Sequence, residues 1–173
     1  MSAERGIRNS EFAIIALGSN LGDSPTILRE AMARLQEFSA APLKKSSLWQ
    51  TAPVDCPPGS PLFVNAVVAL TPRAGETPES LLAKLHALEK EFGRQPRKVL
   101  NEARPLDLDL IAFGHEVRRT PQLTLPHPRA NERRFVLQPL SEIAPDLILP
   151  GQKTSVSECL RLLPPDESIR RIV

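Results

Sequence analysis

The chain has no tyrosine and a single tryptophan, and aromatic residues fill only 4% of its 173 positions. A sheet that reads single-stranded nucleic acid by stacking its bases needs exposed aromatics interleaved with basic residues, so this composition disfavours such a role. Cysteine is equally sparse. Cys56 and Cys159 are far apart and form no C-x-x-C pair, and His86, His115 and His127 are mutually distant. Neither a disulfide framework nor a sequence-local zinc site fits that spacing. No apolar run approaches the roughly 20 residues of a membrane-spanning helix, and the opening "MSAERGIRNSE" lacks the apolar stretch of a secretion signal. The expected compartment is the cytoplasm. Also missing are the loops G-x-x-x-x-G-K-[ST] and G-x-G-x-x-G, so a nucleotide would have to be held by side chains and metal.

What is present is an ordinary globular balance, 41% hydrophobic and 24% charged with a net charge of +2. The length suits one domain over 1–173, with 1–11 as a polar N-terminal tail. "FAIIALG" (12–18) predicts a buried strand stopped by Gly18. Ser24 is placed to cap a helix with Pro25 in its first turn and Leu28, Ala31, Leu35 and Phe38 on its apolar side. "LKKSSLWQT" (43–51) reads as an edge-like strand, and the proline-rich "APVDCPPGSP" as a loop joining it to a buried strand, "LFVNAVVAL" (62–70). Thr77 and Pro78 open a second amphipathic helix bearing Leu81, Leu82, Leu85, Leu88 and Phe92, with Gly93 placed to end it. A basic loop then leads into "PLDLDLIAF" and a hairpin through Gly114 and His115. A third helix, a short strand near "LIL" and a small helix with Cys159, Leu160 and Leu163 complete the chain. Irregular alternation of strands and helices predicts an α+β sandwich, a mostly antiparallel sheet with helices packed on it.

Asp107 and Asp109 stand out because they interrupt a run of leucines. On a strand, Leu106, Leu108 and Leu110 enter the core while the two acids emerge together on the other face. On a helix, residues two apart point in opposing directions and the pair would not act as a unit. Same-face carboxylates at this spacing, roughly 7 Å apart at Cα, suit one hard cation or two, and Mg²⁺ prefers such a partial oxygen set completed by phosphates. Arg94, Arg97, Lys98, Arg104, Arg118, Arg119, Arg129, Arg133 and Arg134 crowd the same stretch, as a bound polyanion would require. The bland alternative is a solvated strand face with scattered surface arginines. Asn20 after one apolar strand and Asn65 inside another are further polar interruptions that adjoining strands would bring to one place.

In these residues the sequence resembles the 6-hydroxymethyl-7,8-dihydropterin pyrophosphokinase family, through "ALGSNLGD", "SSLWQTAPV", "LFVNAVVAL", "LEKEFGR", "ARPLDLDLIAFG" and "LTLPHPRANERRFVLQPLSEIAPDL" in order. The resemblance implies a ferredoxin-like α+β fold and transfer of the β,γ-pyrophosphoryl group of ATP to the pterin hydroxymethyl group, releasing AMP, in folate biosynthesis. It implies Asp107 and Asp109 as ligands of two Mg²⁺ ions, and Arg94 and Arg104 as the basic residues of a mobile catalytic loop, with Arg104 the better placed to stabilise phosphate charge. By the same matching, Phe63 and Phe135 sandwich the pterin, Asn65 hydrogen-bonds its polar edge, and Thr51 and Val54 complete that edge. Glu89, Arg104, Leu110, Thr124, His127 and Arg133 match positions around ATP. Expected partners are these two small molecules, with no nucleic acid or membrane, and the family expectation is a monomer.

The chain departs from the family pattern at Asn101, in "NEAR" where many relatives have Trp-Gly-Pro-Arg, and at Pro96, Gln122 and Pro128, where relatives carry a basic residue, an Arg and a Tyr. These positions bear on ATP affinity and loop closure. The loops "APVDCPPGSP" and 94–104 are the expected lids. Two other classes place comparable features on a sheet: polymerase or cyclase palms, which would release pyrophosphate from ATP, and non-catalytic RNA-binding sheets. The "GSN" and "LFVNAVV" blocks argue against the first, and the missing aromatics against the second.

Overall fold

The structure, a computed structural model, describes residues 12–52, 57–94, 103–166 and 168–172. Val54, Pro96 and Asn101, singled out above, lie outside the described residues. Strand β1 (Ala13–Ser19) runs into helix α1 (Ser24–Gln36), two short strands β2 (Lys44–Lys45) and β3 (Trp49–Thr51), and strand β4 (Phe63–Leu70). Helix α2 (Pro78–Glu91), strand β5 (Asp107–Phe113), the pair β6 (Arg118–Arg119) and β7 (Thr124–Leu125), helices α3 (Arg134–Ile143) and α4 (Val156–Leu162), and strand β8 (Arg170–Arg171) follow.

The main sheet has the order β5-β1-β4-β3-β8, with β2 also on β4, and every paired strand is antiparallel. β2 and β3 behave as one interrupted strand on β4. At the break the Ser46 hydroxyl accepts from the Val67 N–H (2.9 Å), which keeps the ladder donor satisfied. Counting them as one gives β-α-β-β-α-β with the last strand beside the first, the ferredoxin-like arrangement and the α+β sandwich expected from sequence.

Alternation along the strands creates two cores. Ile15, Leu17, Val64, Val68, Leu106, Leu108 and Leu110 meet Leu28 and Leu35 of α1 and Leu81, Leu85 and Leu88 of α2. Ile14, Ala16, Val67 and Ala69 turn the other way, to Val136, Leu137 and Leu140 of α3 and Val156 of α4. Each fully buried leucine contributes roughly 1.5–3 kcal/mol, so a one-residue slip of any central strand would forfeit several such terms at once. The first helix is capped by Asp23, whose side chain accepts from Thr26, while Ser24 begins the helix and accepts from Ser19 Oγ (2.8 Å). The second has the expected Thr77 cap, reinforced by Ser80 in a reciprocal capping box, and ends before Gly93 at φ +91°.

Four sequence expectations differ in detail, the first being that Asp23 rather than Ser24 caps α1. Gly18 does not stop the first strand, which continues through Ser19 in register with both neighbours. Gly114 and His115 do turn the chain, but the return strand β6 pairs with β7 rather than with β5. "LIL" forms no strand: Leu147 and Leu149 are buried against α3 and α4, and apolar content alone mimicked a strand.

Candidate active site

The strand register sets four positions in a line across the sheet. Asp107 lies opposite Gly18, Gly18 opposite Asn65, and Asn65 opposite Trp49. By the alternation that sends Val67 and Ala69 toward α3, the row shares that face. Asp109, Phe63 and Thr51 are each two residues from a member of it, and so lie on the same face. The apolar helix packing on α1 and α2 therefore forces the polar residues of three strands into one shallow row.

At its centre, Asn65 is 5% exposed and donates from Nδ2 to Thr51 Oγ1 (2.7 Å). Its Oδ1 sits above Gly18, where a Cβ would lie 3.1 Å from Asn65 Oδ1 and 3.7 Å from Phe63 Cδ1. The glycine hydrogen is thus what leaves room over the strand. Sequence reading missed this role because Gly18 looked like a strand terminator; its place inside the strand appears only with the register. Phe63 is half-buried at the start of β4, and Phe135 is half-buried in the first turn of α3, packed on the second core. The Arg133 guanidinium lies 5.5 Å from the Phe135 ring centroid, a cation–π contact that ties a candidate phosphate contact to a candidate stacking ring.

At the other end of the row, Asp107 Oδ1 accepts from Arg94 Nη1 (2.7 Å), and Arg104 Nη2 is 3.8 Å from Asp107 Oδ2. Arg94 also donates to Glu89 Oε2 (2.6 Å), which accepts the Leu108 N–H as well (2.8 Å). Since β5 is an edge strand, that N–H has no strand partner, and Glu89 satisfies it from α2. Burial drives the Glu89 carboxyl above its ordinary value despite both donors. Asp107 and Glu89 hold Arg94 charged against the opposing effect of burial.

Burial first, and then repulsion from Asp107, push Asp109 up to about 7, against the pull of Arg133 and Arg104. A cation bound beside Asp109 would oppose both effects and favour its ionised form. Among the described residues no cluster of three or more His, Cys, Asp or Glu could hold a metal. The donor set is therefore a partial oxygen set, which fits a Mg²⁺ ion that keeps waters and takes substrate phosphate oxygens.

Arg104 is fixed through its main chain: its N–H donates to Asn20 Oδ1 (2.9 Å) and its carbonyl accepts from the Asn20 N–H (3.1 Å). Asn20 is 2% exposed, and its Nδ2 reaches the Pro61 carbonyl at 3.4 Å. The sequence marked Asn20 only as a polar interruption. Arg104 Nε is buried with no hydrogen-bond partner among the described residues, an orphaned donor that a phosphate oxygen would satisfy.

His127 follows β7, and its N–H donates to the Ile111 carbonyl (2.8 Å) while Nδ1 accepts the Arg129 N–H (3.2 Å). Burial, then Arg133 and Arg129, lower its pKa, so it is neutral at pH 7 with the proton on Nε2. Thr124 is exposed on β7, whereas the Leu110 side chain is in the core at 4% exposure. The structure thus gathers Asp107, Asp109, Arg94 and Arg104 at one end of the row and Thr51, Phe63 and Asn65 at the other. Glu89 lies beneath the acidic end as a support for Arg94 and β5.

The fold is of the ferredoxin-like α+β class, and its polar face brings an acid pair and two arginines together. Residues 14–145 match the family model of 7,8-dihydro-6-hydroxymethylpterin-pyrophosphokinase. The 2-amino-4-hydroxy-6-hydroxymethyldihydropteridine pyrophosphokinase of Bacillus subtilis is 42% identical over 135 residues, 78% of each chain. The protein of the same name from Synechocystis sp. is 38% identical over 148 residues, 86% of this chain and 74% of that one. The chain belongs to the 7,8-dihydro-6-hydroxymethylpterin-pyrophosphokinase family.

Some relatives are much longer. The folic acid synthesis protein fol1 of Pneumocystis carinii is 35% identical over 91% of this chain, which spans 20% of its length. Among solved structures, an HPPK-DHPS in complex with substrates superposes with a TM-score of 0.69 at 12% identity, over 94% of this chain and 46% of that one. Wild-type Plasmodium falciparum HPPK-DHPS gives 0.67 at 13% identity, over 98% and 49%. These two show the shared fold.

Proposed function

We propose that the chain transfers the β,γ-pyrophosphoryl group of ATP to the hydroxymethyl oxygen of 6-hydroxymethyl-7,8-dihydropterin, releasing AMP. The observation that carries this reading is the register row. It sets a carboxamide between Thr51 and a glycine hollow at one end, and an acid pair with two arginines at the other. A flat polar heterocycle and a polyphosphate are what these two ends recognise.

In this reading Phe63 and Phe135 offer ring faces to the pterin. Asn65, oriented by Thr51, offers Oδ1 to its in-plane donors. Arg104, held by Asn20, presents its free Nε to phosphate, and Arg133 and neutral His127 supply charge and an Nε2–H donor around the nucleotide. Asp107 and Asp109 would hold Mg²⁺, which when bound supplies charge neutralisation on the phosphates. In the reaction the hydroxymethyl oxygen bonds to the β-phosphorus, the bond from that phosphorus to the α,β-bridging oxygen breaks, and the hydroxyl proton leaves as the new bond forms. Most of the acceleration would come from alignment and charge stabilisation.

The division of the site is tested by equilibrium binding to single variants of the full chain. Asn65→Ala should weaken pterin binding and leave a non-hydrolysable ATP analogue bound as in wild type. Arg104→Ala should do the reverse. Equal effects of both variants on both ligands would contradict the reading.

A further inference from the structure

The last turn of α3 carries a carboxylate that no part of the proposed chemistry uses. Glu142 Oε1 accepts from the Ser47 N–H (3.0 Å) and from Trp49 Nε1 (2.7 Å), and Oε2 accepts from Ser47 Oγ (2.8 Å). Three donors from one short segment converge on one side chain of another element, across 93 to 95 positions of sequence. Among the described residues this carboxylate ties the helix to β3 and to the segment just before it.

Both ends of the tie lead to the candidate pterin pocket. Trp49 is the strand residue opposite Asn65, and two positions further along β3 is Thr51, whose hydroxyl orients the Asn65 carboxamide. On the helix, Phe135 and Glu142 are seven residues apart. Seven residues are close to two full turns, so the ring and the carboxylate lie on one stripe, roughly 10 Å apart along the axis. Fixing Glu142 to β3 therefore fixes the height of Phe135 over the strand that positions Asn65. Between them Val136, Leu137 and Leu140 are buried in the second core, which packs this stretch of the helix against the sheet.

We propose that Glu142 is a positioning residue for the pterin pocket: by clamping Ser47 and Trp49 it sets the spacing between the Phe135 ring and the Thr51–Asn65 edge. This rests on the pterin reading of that pocket. Glu142 touches neither the acidic end of the row nor the arginines around it, so its influence falls on the pterin and not on ATP.

The test is steady-state kinetics of the full chain with both substrates varied, for wild type, Glu142→Ala, Glu142→Gln and Trp49→Phe. Glu142→Ala should raise the pterin KM about five- to tenfold, as expected for losing hydrogen bonds to a charged group, with the ATP KM within about twofold of wild type. Glu142→Gln keeps an acceptor for Ser47 N–H and Trp49 Nε1 and should restore most of the loss. Trp49→Phe removes one donor and should give a smaller rise in the same constant. Trp49 is the sole tryptophan, and its emission should move to longer wavelength in Glu142→Ala as its N–H turns to water. An unchanged pterin KM in Glu142→Ala beside an active wild type overturns the positioning role alone, as does a parallel rise in both KM values that Glu142→Gln fails to rescue. Absence of pterin turnover in wild type overturns the reading beneath it as well.

Discussion

Replacing Gly18 by alanine tests whether the missing side chain makes the pocket, because the backbone accepts the change and the space above it does not. Gly18 lies within β1 and is not among the glycines of positive φ, so alanine fits the backbone and lowers the entropy lost on folding, a gain of up to roughly 0.5–1 kcal/mol. The added Cβ, however, would lie 3.1 Å from Asn65 Oδ1, a few tenths of an ångström inside comfortable contact. Asn65 cannot yield freely, since its Nδ2 is bound to Thr51 Oγ1 at 2.7 Å and the residue is 5% exposed. Either the carboxamide rotates or the ligand rides higher over the strand, and each outcome loses about one hydrogen bond to the pterin edge. That is about 1 kcal/mol, or roughly fivefold in pterin KM. The assay pairs pterin KM with thermal unfolding of the same sample. A Gly18→Ala protein with unchanged melting temperature and wild-type pterin KM would refute the claim that the missing Cβ makes the pocket, and Gly18→Val should worsen KM further.

Two further predictions concern stability. His127 has a pKa lowered by burial and by Arg133 and Arg129, so between that value and the ordinary His range the unfolded chain binds more protons than the folded one. Stability should therefore fall as pH drops through about 6.5, and urea unfolding at pH 7.5 and 5.5 should show a smaller difference in His127→Gln than in wild type. Ile172→Pro deletes the N–H that donates to the Leu48 carbonyl (2.8 Å) next to β8, which should cost about 1–2 kcal/mol, read as a fall in melting temperature of roughly 2–8 °C. An unchanged melting temperature would show that β8 adds nothing to the sheet edge.

The parts of the fold that were legible in the sequence are those where one periodicity dominates. Leu106, Leu108 and Leu110 against Asp107 and Asp109 give an unambiguous alternation, and Thr77-Pro78 and the leucines after it give an unambiguous helix start. Gly18 was misread because glycine weakens strands locally, while here pairing with β4 and β5 on both sides overrides that preference. "LIL" was misread for the converse reason: its apolar residues are buried in the second core, but their backbone joins no sheet. The motif residues could be proposed from resemblance, but their supports could not. Asn20 holding Arg104, Glu89 accepting the Leu108 N–H, and Glu142 holding Trp49 are contacts between separate elements of the fold, which no local pattern encodes.

The central claim, pyrophosphoryl rather than phosphoryl or nucleotidyl transfer, is tested most directly by identifying the nucleotide product. Purified protein would be incubated with ATP, Mg²⁺ and 6-hydroxymethyl-7,8-dihydropterin, and AMP, ADP and pyrophosphate separated. The predicted result is AMP formed in step with pterin diphosphate, only when pterin is present, and lost in Asp107→Ala and Asp109→Ala. Release of ADP or free pyrophosphate in its place, or AMP formation indifferent to both aspartates, would contradict it.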